Sequence, residues 1–277
     1  MLLYVYKIYN TPQFQHKIPK NRQDSQVKDF VMSMTTSNKR IEFMPETGRT
    51  LERLTPHNSV FLPIDYMHGL MSACRSIDPG LLKNNAIALA KIARLFNLPT
   101  FGTGDRSGRS YLGAEMSELE EILPDMQFIP RSKVGAWDVP EYREAVRRTG
   151  RKKLIMAGIT TEQCVTFTAE PAIAEGYDVY VVLDASAALD TRSELAAISR
   201  LTQMGAILTT WSPLGAELLH DFATPEGAGL LKIYSEHQGQ MRALEDSFNT
   251  ALKFVKESVD DQSEQAREAA YTKAREL

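Results

Sequence analysis

The sequence predicts an α/β fold: a Rossmann-like three-layer sandwich around a mostly parallel six-stranded sheet, followed by a C-terminal helical extension. Two observations carry this. Short apolar segments alternate with helical patterns about six times along the chain. Those segments are also continuously apolar, as strands covered by helices on both faces are, rather than alternating apolar and polar.

The elements follow in order. SVFLPID (59–65) reads as a buried parallel strand ending in an aspartate. GLLKNNAIALAKIARLF (80–96) carries apolar residues at helical spacing, with Asp78-Pro79 as its start signal. LPTFGTG (98–104) reads as a strand running into a Gly-rich turn, SELEEIL (117–123) as a short helix and MQFIP (126–130) as a strand. PEYREAVRRTG (140–150) opens on Pro and closes on Gly, as helices do. KKLIMAGI (152–159) is a fourth strand, and the segment after it, 160–176, is helical from its middle on. DVYVVLDA (178–185), the helix SELAAISRLTQMG (193–205) and the strand AILTTWS (206–212) complete the sheet before LGAELLHDF. Three regions result: an extension over 1–50, an α/β domain over 51–222 and a helical appendage over 223–277. The extension reads as flexible or partly docked, since it lacks periodicity and runs basic. Met32 and Met34 offer alternative starts within it. The appendage reads as a contact with its own domain or with a second subunit.

Composition narrows the function classes. The chain has 277 residues, 43% hydrophobic and 24% charged, the make-up of an ordinary globular protein. A net charge of -3 gives no reason to expect nucleic acid or an anionic membrane as partner. No apolar run approaches the ~18 residues of a membrane span. MLLYVYKIYN, broken by Lys7, makes a poor signal peptide. The two cysteines, Cys74 and Cys164, form no disulfide framework, which suits a reducing cytoplasm. The five histidines have no ligand spacing, so no metal is expected. GTGDRSG (102–108) lacks the phosphate-loop lysine and a full dinucleotide fingerprint, which leaves it as a pocket-wall loop and makes an oxidoreductase a poor reading. No G-x-S-x-G elbow occurs. No cofactor is expected.

In open α/β sheets ligands bind beyond the carboxyl ends of the strands. Three groups of reactive side chains lie there: Asp65, Arg131 with Lys133, and Cys164 in AGITTEQCVTF. At a helix start Cys164 would feel the positive end of the dipole, which lowers a thiol pKa, and neighbouring N–H groups could form an oxyanion hole. It could equally be a small buried hydrophobe. Asp65 could be a base, a cap or half of a structural salt bridge. Arg131 and Lys133 could be solvated loop charges. Asp184, which ends a strand as Asp65 does, is expected to be structural, satisfied by backbone donors of the turn after it. Cys74 is expected to be structural too.

With these residues in hand the chain resembles the isochorismatase-like cysteine hydrolases, and most closely their metal-free YcaC-type branch. The resemblance rests on AGITTEQCV, on LLKNNAIALAKIARLFNLPT, on GAWDVPEYREAVRRTGRKKLI and on IAEGYDVYVVLDAS, and spans about 55–252. It implies Asp65 as base, Cys164 as nucleophile and Arg131 as the basic member, with Lys133 the alternative because RSKVGAWD is one residue shorter than the family pattern. It further implies a cis peptide at Ile159–Thr160 and the N–H groups of Thr160 and Cys164 as oxyanion donors. Related nicotinamidases hold a metal near the second strand, but DRSGRSYLG offers no histidine, so metal binding does not carry over. Tyr66, Trp137 and Phe167 are expected to line the pocket, though Trp137 could be core. The implied activity is hydrolysis of a small amide through a thioacyl-enzyme, in a ring-like homo-oligomer such as an octamer, with the helix after Gly229 as a contact. Rival readings are a vinyl ether, nitrile-like or N-carbamoyl substrate, and a scaffold that binds without turnover.

Overall fold

The computed structural model describes residues 52–255, so the readings for the N-terminal extension and the polar tail lie outside the described residues. Among the described residues six strands form, all in parallel pairings: β1 (Ser59–Ile64), β2 (Phe101–Gly102), β3 (Gln127–Phe128), β4 (Lys153–Gly158), β5 (Asp178–Val182) and β6 (Ile207–Thr209). They do not make the single six-stranded sheet expected. A four-stranded sheet runs β1-β4-β5-β6, and β2 pairs only with β3. Two isolated bridges, Phe61 to Thr100 and Ile64 to Thr103, lay the smaller sheet against β1. The physical reason is shortness: with two residues each, β2 and β3 touch their neighbours without sustaining a ladder. The spatial order is therefore 3-2-1-4-5-6, which reverses direction between β1 and β4.

The helices of the described residues are α1 (His68–Ala73), α2 (Pro79–Leu95), α3 (Ser117–Ile122), α4 (Pro140–Arg148), α5 (Thr166–Ala174), α6 (Thr191–Gln203), α7 (Trp211–Leu219) and α8 (Pro225–His237). Residues 239–255 are helical as well. Local chemistry sets several starts. The Asp78 carboxylate accepts the Leu81 N–H at 2.9 Å with Pro79 at the first helical position of α2. The Asp190 carboxylate accepts the N–H groups of Arg192 and Ser193 at the start of α6. The strand expected over 206–212 ends early, because Asp184 Oδ1 accepts the Trp211 N–H at 2.9 Å and so starts α7 there. Asp184 is thus structural, but its donor comes from the chain 27 residues on rather than from the adjacent turn alone. Burial pushes its carboxyl up to about 6.

Strict alternation along the strands builds two cores. Phe61, Ile155, Ala157, Tyr180 and Val182 face α2, α7 and α8. Val60, Leu62, Leu154, Met156, Val179 and Val181 face α4, α5 and α6. This is the three-layer sandwich, each residue switching faces with its pleat. The core does not stop at 222: Leu230, Ile233 and Tyr234 of α8 are buried in it, so that helix docks on its own domain. Over 239–255 the chain instead exposes Leu244, Leu252 and Phe254. No helix among the described residues is long and apolar enough to cross a membrane.

Candidate active site

The reversal between β1 and β4 brings the carboxyl ends of those strands together, and the backbone there is tight. A Cβ on Gly158 would collide with the Ile64 carbonyl, and Gly158 sits at φ +151°, which a side chain rarely adopts. Ile159 N–H donates to Ile64 O at 2.9 Å across the same gap. The next peptide, Ile159–Thr160, is cis.

Asp65 follows β1 directly. Its backbone lies in the left-handed region at φ +53°, held by Asp65 N–H to Thr103 O at 2.8 Å and by Met67 N–H to Asp65 O at 2.7 Å. A non-glycine residue there costs of order 1–3 kcal/mol and persists only where its surroundings enforce it. The carboxylate accepts Arg131 Nη2, and both side chains are almost fully buried, 5% and 9% exposed. Arg131 Nη1 donates to the Lys133 carbonyl, which folds the 131–133 loop around the guanidinium. Lys133 contributes only that carbonyl and is itself exposed. The geometry therefore brings Arg131, not Lys133, to Asp65.

Cys164 lies in a π-turn, Thr161–Val165, that leads into α5. Thr161 N–H donates to Ala187 O at 2.8 Å and Val165 N–H to Thr160 O at 3.1 Å, which pins both ends of the turn. The half-buried thiol lies close enough to the Asp65 carboxylate and the Arg131 guanidinium for both to act on its ionisation. Three residues spread over a hundred positions thus meet at one mouth of the sheet.

The electrostatics correct one expectation. Burial, and then the negative charge of Asp65, push the Cys164 thiol up, against the lowering expected from a helix dipole. Cys164 therefore rests as a thiol. Burial also raises the Asp65 carboxyl, with Arg131 and the Cys164 thiol pulling the other way. Cys74, by contrast, is buried away from this site and pushed up to about 11, in keeping with a structural role.

Of the three aromatic residues expected to line the pocket, two are fully buried and Phe167 is half-buried. Tyr66 is fully buried, because the left-handed turn at Asp65 sends it under the sheet, where its hydroxyl donates to Ala185 O. Trp137 is core, packed edge-on against Tyr177 with ring centroids 5.0 Å apart. Phe167 lies under the Arg200 guanidinium of α6, 5.2 Å from centroid to carbon. Clefts of 440, 260 and 420 Å³ occur near the opposite, amino-terminal strand ends, lined by residues such as Tyr177, Asn97 and Arg148, and none contains the triad. Asp105, which opens the DRSGRSYLG segment, is half-buried and accepts from Ser107 and Ser110. Among the described residues no cluster of three or more potential ligands surrounds it, so these residues do not fit a metal.

One residue escaped the sequence reading. Glu115 is buried beside Asp65, its Oε1 accepting the Tyr66 N–H at 3.0 Å. Burial and the Asp65 charge push its carboxyl up to about 8. In GAEMSELEEIL it is one glutamate of four, and only its place between Ala114 and Met116 sets it apart.

Comparison with known proteins settles the lineage. The isochorismatase domain model matches residues 59–213, the span from β1 through the start of α7. The probable hydrolase YcaC of Escherichia coli is 39% identical over 203 residues, covering 73% of this chain and 96% of that protein. The chain belongs to the isochorismatase family, on its YcaC-type branch. It is accordingly a hydrolase of that family. The structure of YcaC from Pseudomonas aeruginosa with hexane-2,5-diol and covalent acrylamide superposes with a TM-score of 0.70 at 37% identity, covering 73% of this chain and all of that one. The YcaC structure from E. coli, an octameric hydrolase of unknown specificity, gives 0.70 at 38%, over 73% and 99% of the two chains. The secreted isochorismatase effector Isc1 of Phytophthora sojae is 29% identical over 68% of this chain and 90% of its own length.

Proposed function

We propose that this member is a cysteine hydrolase of small amides, with Cys164 as nucleophile, Asp65 as general base and acid, and Arg131 as the partner that orients the carboxylate. The observation that carries the reading is the convergence of the buried Asp65–Arg131 pair and the Cys164 thiol, whose ionisation both partners perturb. A resting thiol needs a base within reach, and a carboxyl lifted above its usual range is closer to the affinity that proton transfer at neutral pH requires.

In the acylation step Asp65 accepts the thiol proton as sulfur bonds to the amide carbon. The carbonyl electron pair moves to oxygen, where the N–H groups of Thr160 and Cys164 stabilise it. Asp65 then gives the proton to the leaving nitrogen as the C–N bond breaks and ammonia or an amine departs. Water, deprotonated by Asp65, attacks the thioester; the C–S bond breaks and sulfur takes the proton back. Each step leaves atoms and charge balanced, and Asp65 is ionised at both ends of the cycle. Covalent acrylamide in a relative is in keeping with this, since acrylamide is a soft electrophile that thiolates attack. A free nucleophilic thiol suits a reducing compartment such as the cytoplasm.

Ammonia release across a panel of small amides tests the proposal. Turnover that disappears in Cys164→Ala supports it; a panel without turnover together with a Cys164 of ordinary reactivity refutes it in favour of a binding scaffold. For the assembly, the octameric relative and the exposed Leu244, Leu252 and Phe254 support a homo-oligomer built partly through 239–255. Light scattering that finds only a monomer rejects it.

A further inference from the structure

The strap from Leu112 to Met116 runs antiparallel to the segment after Asp65. Gly69 N–H donates to Leu112 O at 2.7 Å, His68 N–H to Ala114 O at 3.0 Å and Met116 N–H to Tyr66 O at 2.9 Å. From the middle of the strap Glu115 turns inward. It is 92% buried by the 8% exposure that remains, its Oε1 accepts the Tyr66 N–H, and its Oε2 has no hydrogen-bond partner. Room for that oxygen exists only because residue 104 is glycine: a Cβ there would collide with Oε2 and stand 3.6 Å from the Asp65 Cα. The carboxyl thus occupies the space directly behind the backbone of the base.

We propose that Glu115 is a positioning residue for Asp65: its carboxyl, seated over Gly104, grips the Tyr66 N–H and so holds the left-handed turn that keeps the Asp65 carboxylate on the Cys164 thiol. The proposal rests on Asp65 being the base. A residue in the left-handed region needs its flanking groups fixed, and here the N–H that follows Asp65 is fixed by a side chain 49 residues away. The proton on Glu115 completes the arrangement. At neutral pH the carboxyl, pushed up to about 8 by burial and by the charges of Asp65 and Glu120 against the pull of Arg106 and of the Tyr66 N–H, is mostly neutral, so Asp65 is the main anion facing Arg131. Above that pH a second negative charge develops behind Asp65 and makes the thiolate harder to form. Glutamine would keep the acceptor oxygen and abolish the titration; alanine would remove both.

The experiment follows alkylation of Cys164 by iodoacetamide, read by mass spectrometry from about pH 6 to about pH 9, in the full-length wild type, E115Q, E115A and D65N, with circular dichroism establishing that each is folded. E115A is expected to react roughly threefold or more faster at neutral pH, as D65N does, because a carboxylate drawn off the thiol no longer holds it up. E115Q should return the rate to near the wild-type value at neutral pH and, near pH 9, outpace the wild type by roughly threefold or more. An E115A rate equal to wild type while D65N is faster overturns the positioning role and leaves the base reading intact. If D65N reacts like the wild type, the base reading falls and the proposal falls with it. E115Q as fast as E115A at neutral pH also overturns it, as does an E115Q profile that superposes on the wild type throughout. That last comparison decides the matter if E115A does not fold.

Discussion

Arg131 donates one guanidinium arm to Asp65 and the other to the Lys133 carbonyl, so a single side chain closes its own loop and neutralises the carboxylate at the end of β1. The pair is nearly buried on both sides, and burial is what makes it consequential. Removing one partner of such a pair leaves the other charge without compensation, which typically costs about 3–5 kcal/mol.

Arg131→Ala should therefore lower stability by about 3 kcal/mol and raise the Asp65 carboxyl further. Only ionised Asp65 can take the thiol proton, so kcat/KM rises with pH through the Asp65 pKa. In Arg131→Ala that acid limb should move to higher pH. Arg131→Lys should recover part of the charge effect but not the two-armed grip. Lys133→Ala, which keeps the carbonyl, should stay within about 0.5 kcal/mol of wild type. Thermal melts together with pH–rate profiles check all three.

Asp65→Asn preserves size but cannot accept the thiol proton. Turnover should fall by about 10²- to 10⁴-fold, the usual worth of a general base. Alkylation of Cys164 at neutral pH should instead quicken, since the Asp65 charge that helps push the thiol up is gone. An unchanged alkylation rate would remove Asp65 from the mechanism.

Glu115 also makes stability pH-dependent. Its carboxyl titrates at about 8 in the folded chain against 4.5 ordinarily, so the folded state holds the proton more tightly. Its contribution is complete below about 4.5 and is lost as pH rises through about 8. The loss is bounded by roughly 5 kcal/mol over that interval. Glu115→Gln, which does not titrate, should gain on the wild type as pH rises from about 5 to about 9. Melting curves across that range test it: a constant difference in Tm counts against a raised Glu115.

Gly158→Ala tests the seam on which the site is built. The new Cβ would run into the Ile64 carbonyl from a backbone conformation unsuited to a side chain. Because both are backbone features of paired central strands, neither can move without breaking the β1–β4 ladder. A loss of about 4 kcal/mol or more, or failure to accumulate folded protein, is expected in expression and denaturant-unfolding experiments.

Much of the architecture was legible in the linear sequence. Unbroken apolar runs such as 60–64 and 154–158 report burial on both faces, and Asp78-Pro79 reports a helix start, because periodicity and capping act between near neighbours. Asp65, Arg131 and Cys164 were visible as reactive residues past strand ends for the same reason. Three-dimensional packing decided what local pattern could not. It brought the Arg131 guanidinium rather than Lys133 to the carboxylate, and it put Tyr66 and Trp137 into the core. It set Glu115 behind the base and kept the Cys164 thiol protonated despite its place at the start of a helical segment. Each of these depends on desolvation and on contacts between segments dozens of residues apart. Hydration lost on burial is a property of the whole surroundings of an atom, and no stretch of neighbouring residues encodes it alone.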